Sequence, residues 1–185
     1  AYWDAWGRTD ASQLQSLYLR KPDLLEAKKG RDIVDVPIVT TLYSYKNDFE
    51  NLSAADSSFY PYVQGNKSYG GRKALHFSKD SEYTMNTKFK VPKNTTHIYI
   101  SYKVKRSESM LCVVEGKEPN PFYFLSGDII RLDDEWEMME MYAPLPAKNK
   151  PESLSFYLWN NGLKEFDCDD LEIKCLNVKI KRVER

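Results

Sequence analysis

Cysteine is scarce in this 185-residue chain: Cys112, Cys168 and Cys175 make three, too few and too odd in number for a disulfide scaffold. Cys168 and Cys175 stand seven residues apart, an odd spacing that puts them on opposite faces if one regular strand holds both. Three buried free thiols are expected. Histidine is scarcer still. His76 and His97 stand alone, and with no Cys-x-x-Cys pair the usual zinc arrangements are excluded. There is no G-x-S-x-G elbow, P-loop or H-E-x-x-H segment, and neither histidine has a neighbouring nucleophile, so no enzyme is expected. Net charge is lacking too: 27 Lys plus Arg balance 27 Asp plus Glu, which leaves no field to draw in nucleic acid or an anionic membrane. No apolar run approaches the ~18 residues of a membrane-spanning helix. No signal peptide is visible and the chain begins at Ala1, so a mature or excised piece of a longer protein is expected.

Aromatic residues are plentiful: 13 Tyr, 8 Phe and 4 Trp favour strands or a stacking surface. With 42% hydrophobic and 29% charged residues the composition is globular. The first thirty residues differ from the rest. Leu14, Leu17 and Tyr18 fall on one helical stripe after a possible N-cap at Thr9 or Asp10, Pro22 interrupts it, and Gly30 closes it. Residues 1–30 are therefore read as a helical lead-in, headed by the aromatic Tyr2, Trp3 and Trp6. From residue 31 to residue 185 the helical period vanishes. Ile98, Ile100, Tyr102 and Val104 alternate with polar neighbours, and similar runs fall at 33–45, 73–77, 82–91, 110–115, 122–125, 136–142, 154–159 and 170–180. Turn chemistry separates them, as at Gly70-Gly71, Pro92-Lys93-Asn94 and Asn160-Asn161-Gly162. Eight to ten strands without crossover helices imply antiparallel sheets in a sandwich or barrel. The last two strands read as a hairpin about Asn160 to Gly162, with Leu154, Phe156 and Leu158 facing the core and Tyr157 and Trp159 facing outward.

The order of several segments is similar to a known family. "NDFEN", "GNKSYGGRKALHFS", "HIYISYKVK", "EWEMMEMYAPLP", "LSFYLWNNG" and "CDDLEIK" together resemble the galactose-binding-like jelly roll of carbohydrate-binding modules, in the versions carried by many Bacteroidetes surface and periplasmic proteins. The resemblance covers about Thr41 to Lys179 and leaves out the helical lead-in. It implies an all-β antiparallel sandwich and a periplasmic or cell-surface location. It also implies a structural calcium where the chain ends meet a Gly/Ser loop, held by Glu50, Asp169 and Asp170 with carbonyls from around Lys67 to Gly71. The bland alternative is that Glu50 begins a strand and the two aspartates form an exposed turn or bulge.

Glycan recognition would need aromatic rings beside polar groups. The candidates are Phe59, Tyr60 and Tyr62 in the "SSFYPY" loop, Trp136, and Tyr157, Trp159 and Asn160 on or after "LSFYLWNN". The alternative for Trp136 and Trp159 is that they cover the open end of the sandwich. Acid clusters such as Asp133-Asp134-Glu135 read as solvated turns, and the triplets at Asn51, Asn66 and Asn94 match the N-glycosylation pattern. Two functions follow as expectations. One is a non-catalytic extracytoplasmic accessory module, structural or in contact with the rest of a parent chain or another protein. The other is a carbohydrate-binding module acting through exposed aromatics.

Overall fold

The computed structural model describes residues 33–65, 68–105, 110–117, 121–125, 128–161 and 164–184. The expected helical lead-in lies outside them. The described strands are β1 (Ile33–Asn47), β2 (Val63–Gly65), β3 (Lys73–Phe77), β4 (Tyr83–Lys90), β5 (His97–Lys105), β6 (Met110–Gly116), β7 (Phe122–Leu125), β8 (Asp128–Arg131), β9 (Trp136–Pro144), β10 (Ser153–Asn160) and β11 (Phe166–Glu184). A 3-10 segment, η1 (Ala54–Tyr62), precedes β2. The strands pair antiparallel in a seven-stranded sheet of order β2-β3-β11-β5-β9-β8, with β1 also on β11, and a four-stranded sheet of order β4-β10-β6-β7. This is the all-β sandwich expected from the alternation. Among the described residues no helix is long and apolar enough to cross a membrane.

Period-two patterning sets the core. On β10, Leu154, Phe156 and Leu158 are fully buried while Ser155, Tyr157 and Trp159 are half-buried on the other face, as the alternation predicts. Opposite them, Ile98, Ile100, Tyr102 and Val104 of β5 are buried against the same core, with Tyr102 and Phe156 rings 6.1 Å apart. The last two strands are not a hairpin. β10 pairs with β4 and β6, whereas β11 pairs with β1, β3 and β5, so the segment after Asn160 crosses from one sheet to the other. Two strands need to bury their apolar faces against each other, and placing them in facing sheets does so.

Among the described strands three register shifts occur, one in β1 between Thr41 and Tyr43 and two that coincide with a positive φ. In β11 the register against β5 shifts between Asp169 and Glu172, with Asp170 at φ 51°. One extra residue reverses the parity of the strand, so Cys168 and Cys175 are both fully buried although their spacing is odd. All three cysteines are buried free thiols. Aspartate tolerates the left-handed conformation better than most residues, which suits it to this position. The second bulge lies in β4. Its register against β10 shifts between the pairs Phe156–Thr87 and Leu158–Thr84, and Met85 sits at φ 54°. Thr84 and Met85 are both buried, and Tyr83 is thereby carried from the core-facing parity of Phe89 to the outer face.

The turn after β1 is a third place where the backbone is unusual. Phe49 takes φ 58° while fully buried, its ring edge-on to Phe59 at 5.5 Å. Two Asx bonds hold this turn, Phe49 N–H to Asn47 Oδ1 at 2.8 Å and Glu50 N–H to Asp48 Oδ1 at 3.1 Å. Burial of the ring offsets a left-handed cost of about 1–2 kcal/mol.

Candidate functional site

The outer face of the four-stranded sheet carries a group of aromatic rings. Tyr83 faces Trp159 across the β4–β10 pair, the rings nearly parallel at 14° with centroids 6.3 Å apart. Tyr157 stands edge-on to Tyr83 at 5.8 Å and 77°. Tyr123, opposite Glu115 on the β6–β7 pair, lies close enough to couple electrostatically with both Tyr83 and Tyr157. Tyr83 is 59% and Tyr123 48% exposed, which is unusual for rings of this size in a packed sheet. These rings form an aromatic bench, with Tyr83 near-parallel to Trp159 and edge-on to Tyr157.

Carboxylates border the bench. The Tyr157 hydroxyl reaches Glu115 Oε2 at 3.4 Å, and burial together with that negative charge pushes the phenol up to about 12. A hydrogen bond to Glu82, with some burial, raises the Tyr83 phenol. Both phenols therefore stay protonated as donors at neutral pH, beside acceptors. Rings for apolar faces and acids for hydroxyl groups are what a sugar requires.

The structure brings Tyr157 and Trp159 of the expected residues together and disperses the others. Phe59 is 2% exposed in the core. Tyr62 is half-buried with its ring 4.7 Å from Phe77. Tyr60 is exposed, and its hydroxyl donates to the carbonyls of Leu52 and Ser53 at 3.2 Å. Trp136 is buried on β9 in the other sheet, beneath Tyr69 with centroids 5.8 Å apart. Asn160 is fully buried, its amide donating to Lys164 O at 2.8 Å and Ser81 O at 3.3 Å, while its Oδ1 accepts the Lys164 N–H at 3.2 Å. It fastens the crossing between sheets. Tyr83 and Tyr123 were missed. Plain alternation assigns Tyr83 to the core side with Phe89, and only the bulge at Met85 reverses this. For Tyr123 the signal was present, since it alternates with Phe122 and Phe124 of a short edge strand, but nothing marked that strand's outer face as part of a site.

The acids expected at a calcium meet the loop around 68–73. Glu50 Oε1 accepts the N–H of Arg72 at 2.5 Å and of Lys73 at 2.7 Å, and these bonds hold its carboxyl below the usual range. The Lys73 ammonium also donates to the Glu50 carbonyl at 2.8 Å. An added Cβ at Gly71 would fall on the Glu50 carboxylate, so a side chain there would have to push that carboxylate off the loop amides. Asp169, buried, accepts the N–H of Tyr69 at 2.9 Å and of Asp170 at 2.8 Å, with Gly70 contributing; burial nonetheless pushes its carboxyl up. Asp170 pairs with Lys103. Among the described residues no three His, Cys, Asp or Glu side chains form a metal ligand set. These residues do not fit a calcium, because Glu50 Oε1 and both Asp169 oxygens are turned to protein N–H groups and Asp170 is turned to an ammonium.

A groove of about 490 Å³ lies on the other sheet, lined in part by Lys46, Asn51, Ser101, Met138 and Glu172. Within it Glu172 is 2.8 Å from Lys46 and 2.9 Å from Lys174. Tyr99 and Tyr142, rings 4.7 Å apart, lie on the same sheet face, where Tyr99 donates to Glu140 at 3.1 Å.

The class the fold defines is the antiparallel β-sandwich. No protein-family model matches the chain, and no curated protein matches it. Among solved structures it is similar to the CBM22-1–GH10 modules of a Clostridium thermocellum endo-1,4-β-D-xylanase complexed with xylohexaose, at 12% identity and a TM-score of 0.44 over 75% of this chain. The match spans 26% of that longer chain. It is also similar to the CBM22-1 xylan-binding domain from Paenibacillus barcinonensis, at 16% identity and a TM-score of 0.41, covering 80% of this chain and 97% of the other. A CBM61 module solved in complex with β-1,4-galactotriose matches at 10% identity and a TM-score of 0.32, over 78% of this chain and 88% of its own. Each of these structures contains a carbohydrate-binding module.

Proposed function

We propose that this domain is a non-catalytic module that binds a glycan on the outer face of its four-stranded sheet. The observation that carries the reading is the bench of Tyr83, Trp159, Tyr157 and Tyr123 with Glu115 at its border. Sugar C–H faces stack on the two near-parallel rings, and the phenols and carboxylates take the hydroxyls. Because these rings lie outside the core, truncating them removes binding and leaves the fold. Affinity electrophoresis against soluble polysaccharides, followed by calorimetry on those that retard the protein, tests this. Trp159→Ala and Tyr83→Ala should each weaken binding about tenfold or more, equivalent to about 1.4 kcal/mol, with circular dichroism spectra unchanged. No binding to any polysaccharide at millimolar sugar would refute the reading.

A second reading rests on a separate feature. Among the described residues, β11 beyond Leu176 pairs only with β1, and this two-stranded ribbon exposes Val36, Ile38, Val39, Ile180 and Val183. An isolated ribbon of this kind is marginal in water until something packs on it. The occupant proposed is another part of the parent protein, offering an apolar surface to these five side chains. In this reading the domain is an extracytoplasmic accessory part of a larger protein. The two readings use opposite parts of the molecule and are compatible.

A further inference from the structure

The junction of β11 with the 68–73 loop supports an inference independent of the aromatic face. Acids from distant parts of the chain converge on this loop, Glu50 from the turn after β1 and Asp169 from the β11 bulge, with Asp170 beside it. A cation held at such a junction needs oxygen lone pairs turned toward it. The loop has the opposite polarity. The N–H groups of Tyr69 and Gly70 address Asp169, and those of Arg72 and Lys73 address Glu50. A divalent ion bound to these carboxylates would have to displace donors that already carry partial positive charge.

A positive charge is nevertheless present at the junction. Lys103, from β5 in the interior of the seven-stranded sheet, pairs its ammonium with Asp170 and places it 3.8 Å from the centroid of the Tyr69 ring. Tyr69 in turn packs edge-on against Trp136 of β9 and donates its backbone N–H to Asp169. One ammonium thus links the bulge, the loop and a neighbouring strand. The left-handed Asp170 and the register shift beside it mark the same spot.

We infer that Lys103 is the resident cation of this junction, and that the domain fastens its early and late strands without a metal ion. The fastening by Lys103 persists in chelator, and so does any ligand binding that depends on the fold. Thermal melts of the wild-type domain in EDTA, in millimolar CaCl2 and in NaCl of matched ionic strength should share one midpoint. Lys103→Met should lower the midpoint by several degrees in all three buffers, and Lys103→Arg should restore most of the loss. A rise in the wild-type midpoint with CaCl2 that NaCl does not reproduce, or stoichiometric Ca²⁺ uptake by calorimetry, would overturn the inference. So would a Lys103→Met domain melting like the wild type. If Lys103→Met does not fold, the wild-type metal series and Lys103→Arg still decide. None of these readouts depends on a glycan.

Discussion

Replacing Asn160 by alanine separates a structural amide from a ligand-binding one, because the two roles predict different observables. The side chain is fully buried and makes three bonds, one of 2.8 Å and one of 3.2 Å to Lys164 and one of 3.3 Å to Ser81. At about 1 kcal/mol for each neutral bond, discounted for the two longer ones, and with the partner groups left unpaired on truncation, the loss should be about 2–3 kcal/mol. For a domain of this size a kilocalorie shifts the midpoint by about 2–4 °C, so the Asn160→Ala midpoint should fall by about 4–12 °C. Asn160→Asp is the sharper variant. One carboxylate oxygen can still accept the Lys164 N–H, but the other is turned toward the carbonyls of Lys164 and Ser81. Such a buried carboxylate is stable only when protonated, so its folded-state pKa is raised. Its penalty relative to the wild type should be largest at neutral pH and shrink as pH falls through the carboxylate range. Differential scanning calorimetry at several pH values reads both effects. A wild-type midpoint in Asn160→Ala, combined with weakened glycan binding, would refute the structural assignment and return Asn160 to the ligand.

The remaining predictions concern acid stability and the ribbon. Hydrogen bonds from the Lys73 and Arg72 amides hold Glu50 low, and bonds from Ser53 and Tyr45 outweigh burial to hold Asp56 low. Folded values below the unfolded ones stabilise the protein above about pH 4 and lose that contribution as pH falls through the folded values. Asp169, raised by burial, acts in the opposite sense: its ionisation costs stability above its unfolded value, and that cost disappears in acid. Melts toward low pH should therefore decline less steeply in Glu50→Gln and Asp56→Asn, and an unchanged acid limb in both would sink the assignment. For the ribbon, Ile38→Lys with Ile180→Lys should leave the midpoint unaltered and abolish concentration-dependent self-association of residues 33–184 in light scattering. A wild-type fragment that stays monomeric at every concentration would argue against a sticky ribbon.

The sequence alone determined which residues could form the sandwich. Strict alternation in β5 and β10 fixed their buried faces, since a strand has only two faces and the apolar one must leave water. Scarcity of cysteine and histidine, with the general tendency of free thiols to be buried, likewise predicted three buried thiols. What alternation could not encode was where it would break. The bulges at Met85 and Asp170 use positive φ without a glycine to announce it, and each reverses the parity of every residue beyond it. Parity reversal brings Tyr83 to Trp159, buries Cys168 and Cys175 together, and sets Asp170 against Lys103. The same limit hid the acid–loop junction. The sequence presents Glu50, Asp169 and Asp170 as free oxygens, and only the packed loop shows them already taken by N–H groups and an ammonium. Local pattern sets which groups can bury or bind; long-range strand register sets which of them meet.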